Sequence, residues 1–95
     1  MADLLTPEEI ASSLLQIPGW KQEGKEITRT FPFPSYMAGI EFVTRVAHLA
    51  EAANHHPDIT IHWSKVTLRL STHSKGGLTV KDFTLAARAD EAAAQ

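Results

Sequence analysis

Three of the five histidines in this 95-residue chain, His55, His56 and His73, fall where the chain changes direction. An imidazole with an unperturbed pKa of about 6.5 both gives and takes a proton near neutrality, so such a group is suited to general acid and base work on one substrate. Pro57 disfavours a helical conformation at His56, which predicts that a helix arriving through Glu51 ends near His55, leaves His56 extended and splays the two rings apart. His73 follows Thr72, where a strand gives way to Gly76-Gly77, an edge position from which a side chain reaches a cleft. Glu51 stands one helical turn before His55 and is expected to orient it. Asp82, in the first turn of a final helix, is placed to accept from a ligand or a histidine.

Other chemistries are less well served. His48, Glu51 and His55 share a helical stripe, but adjacent histidines diverge by about 100° on a helix, and no H-E-x-x-H spacing or cysteine completes a zinc set. His48 and His62 read as exposed polar-face residues. Gly76-Gly77 is too short for a phosphate loop and is read as a turn needing positive φ, although the amides of Thr79 to Lys81 offer an anion the start of a helix.

Length and composition narrow the field further. Ninety-five residues suit one domain, 1–95, with one site. A net charge of −2 with nine scattered basic residues gives no electrostatic footprint for nucleic acid. The absence of cysteine removes disulfides, thiolate zinc sites and thiol nucleophiles together. The N-terminal stretch holds no apolar run long enough for a signal peptide or membrane span, so the expected location is cytoplasmic with no membrane partner.

The elements that position the histidines follow from capping and periodicity. Thr6-Pro7-Glu8-Glu9 carries a capping box and opens a helix whose buried stripe is Ile10, Leu14 and Ile17, ended by Pro18-Gly19. Trp20 to Glu23 and Glu26 to Phe33 read as strands around Gly24, with Arg29 interrupting the apolar face and Pro32 marking a strand end or sheet edge. Ser35 caps a long helix from Tyr36 to about His55, with an expected core stripe of Ile40, Val43, Val46, Ala47, Ala50 and Ala53. Ile59, Ile61 and Trp63, then Val66, Leu68 and Leu70, alternate with polar residues as two strands joined at Ser64-Lys65, which places Trp63 in the core. Ser71 is expected on the polar face with Thr60, His62, Thr67 and Arg69. Thr79 with Asp82 caps a last helix from Val80 to about Ala92. The expected fold is α+β, a four-stranded antiparallel sheet with helices packed on one face, in the order α-β-β-α-β-β-α. A free edge at Trp20 to Glu23 or Glu26 to Phe33 invites pairing with a second copy.

The run Glu51-x-x-Asn54-His55-His56-Pro57, then Lys65-Val66, Leu70-Ser71-Thr72-His73, Gly76-Gly77-Leu78-Thr79 and Asp82, resembles the pterin-4a-carbinolamine dehydratase family. Gly19-Trp20 and Phe31-x-Phe33 are similar to its N-terminal hairpin, so the resemblance covers nearly the whole chain. Asn54 stands where some members have Asp, Ile59 where some have an aromatic residue, and Ser64 where Asn is frequent. The resemblance implies a homodimer or homotetramer. It also implies loss of water from 4a-hydroxytetrahydropterin to give quinonoid dihydropterin, a step that recycles the tetrahydrobiopterin cofactor of aromatic amino acid hydroxylases. It assigns His55, His56 and His73 as catalytic, with Glu51, Asn54, Pro57, Thr72 and Asp82 supporting them or the substrate. No electrons move overall, so neither a metal nor a cofactor is implied. The competing expectation is a pterin- or protein-binding module of the same fold without turnover.

Overall fold

The computed structural model describes residues 3–95. Its elements run α1 (Pro7–Leu14), β1 (Lys21–Glu23), β2 (Glu26–Pro32), α2 (Tyr36–Ala53), β3 (Asp58–His62), β4 (Lys65–Leu70), a single 3₁₀ turn (His73–Lys75) and α3 (Val80–Ala93). The four strands form one antiparallel sheet in the spatial order β1-β2-β4-β3. This is the expected α-β-β-α-β-β-α arrangement. No helix among the described residues is long and apolar enough to cross a membrane.

Both capping boxes are formed. Thr6 accepts from the Glu9 amide while Glu9 takes the Thr6 amide, and Thr79 and Asp82 make the same exchange at α3. Each box satisfies amides that a helix start otherwise leaves without partners. Helix α1 stops at Leu14, and Ile17 is buried from the turn that follows it.

The core lies between the helices and one face of the sheet. Ile27 and Phe31 of β2 and Val66, Leu68 and Leu70 of β4 are buried against Phe42 and Val46 of α2 and against Phe83, Leu85, Ala86 and Ala89 of α3. Phe42 sets the rotation of α2: its ring centroid lies 4.8 Å from that of Phe31 and 5.0 Å from that of Phe33. The buried stripe is therefore Gly39, Phe42, Val46 and Ala50, and the expected stripe is corrected, because Ala47 and Ala53 face solvent. Small alanines specify a helix face weakly, whereas a phenyl ring filling a gap between strands fixes it.

Further expectations are corrected at the sheet. Strand β2 is interior, paired with both β1 and β4, so the free edges are β1 and β3, and Pro32 marks the end of β2. The β3–β4 hairpin closes on the pair His62↔Lys65, which makes Trp63 and Ser64 the two turn residues. Trp63 has left the strand, adopts φ 55° and is 78% exposed, so it is not a core residue. Its φ has the sign required at the first central position of a type II′ turn. Ser71 is buried at the end of β4 and not on the polar face.

Arg29, which breaks the apolar alternation of β2, is accommodated by a clasp to the last helix. Its guanidinium lies 2.9 Å from Asp90 Oδ1 and 4.5 Å from the centroid of the Phe31 ring, while Trp20 Nε1 donates to the same carboxylate oxygen at 2.8 Å.

Candidate active site

The site is assembled where the C-terminal end of α2, the segment after β4 and the first turn of α3 meet. Helix α2 ends at Ala53 because Asn54 adopts the left-handed conformation, φ 49° and ψ 45°, while its amide and that of His55 bond back to the last turn. Asn tolerates this region better than most residues with a Cβ. The reversal turns two neighbours in sequence toward different partners. His55 Nε2 lies 2.6 Å from Asp82 Oδ1, and His56 Nε2 lies 2.6 Å from Glu51 Oε2. Glu51 thus partners His56, a correction to the expectation that it would orient His55. A continuous helix would have stacked residues 51 and 55, and the cap at Asn54 prevents it.

The two pairs sit in different surroundings. Asp82 is fully buried and the His55 side chain is 10% exposed, whereas His56 and Glu51 are open to solvent. Asp82 is satisfied on both oxygens: Oδ2 accepts from the Thr72 hydroxyl at 2.9 Å and from the Thr79 amide at 2.9 Å. With the Thr72 proton committed to Asp82, the Thr79 hydroxyl donates to Thr72 Oγ at 2.8 Å and itself accepts from the Lys81 amide at 3.3 Å. Such a chain fixes the direction of every hydroxyl in it. The amides at Thr79 and Lys81, considered above for an anion, are spent on this network.

Thr72 is held by its backbone as well, through Thr72 N to Gly77 O at 2.8 Å and the amides of Lys75 and Gly76 to Thr72 O. Gly76 closes the 3₁₀ turn at φ 76°. That turn carries His73 on its exposed side, one residue beyond Thr72, with no side-chain hydrogen bond among the described residues. Pro57 is half-buried and leads into β3. The structure therefore joins His55, Thr72 and Asp82 directly, pairs Glu51 with His56, and gives Asn54 a backbone role. Thr79 is the member that sequence reasoning treated only as a cap.

An ionised carboxylate only accepts, so each histidine in its neutral form carries its proton on Nε2 and leaves Nδ1 as a free acceptor. That tautomer is assigned from the partner and turns a lone pair of each ring outward. Beside His55 a pocket of about 160 Å³ opens between α2 and α3, lined by Ala53, Val80, Lys81, Thr84, Leu85 and Arg88. A larger hollow of about 440 Å³ lies by β1 and the bare sheet face, lined by residues that include Thr28, Thr30, Thr67 and Arg69, and has no imidazole. At its rim the Arg69 hydrogen bond, helped by Lys21, holds the Glu23 carboxyl below its ordinary range, and Glu23 raises Arg69 in return. No group of three histidine, aspartate or glutamate side chains among the described residues is placed to hold a metal ion.

Comparison with known proteins gives a consistent result. A family model described as Pterin 4 alpha carbinolamine dehydratase matches residues 3–92. A Roseiflexus castenholzii protein, provisionally named a pterin-4-alpha-carbinolamine dehydratase, is 58% identical over 96% of this chain and 98% of its own. A Chloroflexus aurantiacus protein with the same provisional name is 56% identical over 92% of this chain and 94% of its own. Among solved structures, a transcriptional coactivator/pterin dehydratase from Brucella melitensis superposes with a TM-score of 0.93 at 30% identity, covering 96% of this chain and 99% of that one. A pterin dehydratase-like protein identified as a RuBisCO assembly factor in the alpha-carboxysome superposes with a TM-score of 0.68 at 28% identity, over 79% and 89% of the two chains.

Proposed function

Since the chain belongs to the pterin 4 alpha carbinolamine dehydratase family, we propose that it removes water from 4a-hydroxytetrahydropterin to give quinonoid dihydropterin by histidine acid and base catalysis. The observation that carries this reading is the 2.6 Å pairing of His55 with a fully buried, fully satisfied Asp82. A carboxylate so placed holds an imidazole in one tautomer and stabilises it when it takes a proton.

The elimination needs two proton movements. The hydroxyl on C4a leaves with its bonding pair and takes a proton as it goes, and one proton is lost from the pterin ring. His55 and His56, each backed by an acid at Nε2, and His73 on the 3₁₀ turn after Thr72 are the groups that exchange these protons. Thr72 and Thr79 keep Asp82 fixed, Asn54 and Pro57 set where the two rings point, and the pocket beside His55 offers apolar wall to a flat ring. Each general acid or base in such a step is worth roughly 10²–10⁴-fold. A second copy of the chain is the macromolecular partner in this reading.

The test is direct. Generating 4a-hydroxytetrahydropterin and following the quinonoid product by absorbance should show acceleration over buffer that scales with protein concentration. No acceleration, with the fold intact by circular dichroism, would leave a binding module in place of an enzyme.

A further inference from the structure

The pocket beside His55 carries positive charge that no acid in its wall neutralises. Lys81, Thr84 and Arg88 stand on one face of α3, at helical spacing, and line the pocket with Ala53, Val80 and Leu85. Basic residues of the sheet are held differently: Lys21, Arg29 and Arg69 each lie within 3.0 Å of a carboxylate. Arg45 of α2 donates to the Ala92 carbonyl. Arg88 is thus the one arginine among the described residues with neither a hydrogen bond nor an ion pair, and the Lys81 ammonium has none either.

Arg88 also borders a second hollow of about 300 Å³, whose wall includes Arg45, His48, Leu49 and Glu91. The two hollows meet at the Arg88 side chain along the seam between α2 and α3, and Glu91 is the one acid lining either of them. In a chain of net charge −2 this is a local excess of cations. A cleft lined by one sign of charge and walled by apolar groups focuses its field and concentrates ions of the opposite sign.

The reacting ring has no use for that charge, because a pterin bicycle is uncharged near neutrality. Distance points instead to the ring's substituent. Asp82 fixes His55 at the first turn of α3, and Arg88 lies six residues further on, about 9 Å along the helix axis. A short side chain on pterin C6 extends away from C4a, and with a phosphate at its end it covers a comparable span. We propose that Arg88, with Lys81 and the Thr84 hydroxyl beside it, selects pterins whose C6 side chain ends in an anion, a phosphate or a carboxylate, over those with a neutral side chain. A guanidinium holds either group through paired, charge-assisted hydrogen bonds. This inference rests on the pterin reading above and adds to it the class of substrate. The cations touch the tail and not the reacting atoms, so their effect belongs in KM more than in kcat.

Calorimetry on the whole chain tests this with 7,8-dihydroneopterin, its 3′-monophosphate, and 7,8-dihydrofolate, whose tail carries carboxylates. The tail is a phosphate if the monophosphate binds about tenfold or more tightly than the neutral compound, and a carboxylate if only dihydrofolate does. The advantage should shrink at high salt. Arg88→Gln should bring the ratio of anionic to neutral affinity to about one, and Arg88→Lys should keep part of it. Both side chains are exposed, so circular dichroism should be unchanged in these variants and in Lys81→Gln. Equal affinity for all three compounds, or an anion preference kept when Lys81→Gln and Arg88→Gln are combined, overturns the inference even where turnover is intact. Absence of turnover with the anion preference in place counts against the dehydratase reading alone, and binding of none of the three overturns both.

Discussion

His55 and Asp82, 27 residues apart in the chain, form a 2.6 Å hydrogen bond in which the carboxylate is fully buried and simultaneously caps α3. One group therefore serves both the fold and the imidazole.

Replacing Asp82 should damage stability and turnover together. Asp82→Ala removes a helix cap, worth about 1 kcal/mol, and leaves the Thr72 hydroxyl and a His55 nitrogen without an acceptor, so unfolding free energy should fall by about 2–4 kcal/mol in urea titrations. Turnover should drop by about 10²-fold or more. Asp82→Asn keeps an acceptor for the cap, so it should lose less stability while turnover stays low.

The exposed histidines should behave in the opposite way. His56→Ala and His73→Ala should each cut turnover by roughly 10²-fold or more and change stability by no more than about 0.5 kcal/mol. The double variant should be less impaired than the product of the two single losses. His48→Ala, on the exposed face of α2, should turn over like wild type.

Asn54 gives a test of how the backbone directs the rings. Asn54→Gly suits the left-handed cap and should keep both stability and turnover. Asn54→Val should cost about 1–2 kcal/mol, as a Cβ-branched residue forced to positive φ, and should lower turnover by disturbing both His55 and His56. Thermal melts and product formation measured on the same samples check this.

The clasp at Asp90 should separate fold from chemistry. Asp90→Ala removes the acceptor shared by Trp20 and Arg29, and should cost about 1–3 kcal/mol. Below its lowered melting temperature the variant should turn over at the wild-type rate.

Exhaustive chelation should leave activity unchanged. Glu51 and Asp82 are each committed to a different histidine, so the two acids do not converge on one ion with the imidazoles. Activity that vanishes on chelation and returns only with zinc would reverse this reading.

Much of the fold was legible because its signals are local. Thr6 with Glu9 and Thr79 with Asp82 lie three residues apart, and both capping boxes form as read. The alternation of Val66, Leu68 and Leu70 also names a buried strand face correctly. What was hidden depends on distance or on a single backbone angle. Apolar alternation counts Trp63 as a strand residue, and only its φ of 55° takes it out of the strand. Glu51 and His55 have ideal helical spacing, which the reversal at Asn54 annuls. Asn is second to Gly at such caps, so this signal was present beside Pro57. The partnership of His55 with Asp82 had no local spacing to announce it, because it spans β3, β4 and the turn after them.

The placement of Asp82 also bears on how such a chain can change over generations. A substitution there lowers the population of folded protein at the same time as it lowers turnover, so the variant is exposed to proteolysis and removed. His56 and His73 stand at the surface, and either can be lost with the fold undamaged. A descendant that trades turnover for a binding role would therefore shed the surface histidines first and retain the buried carboxylate, because its folding still depends on that group.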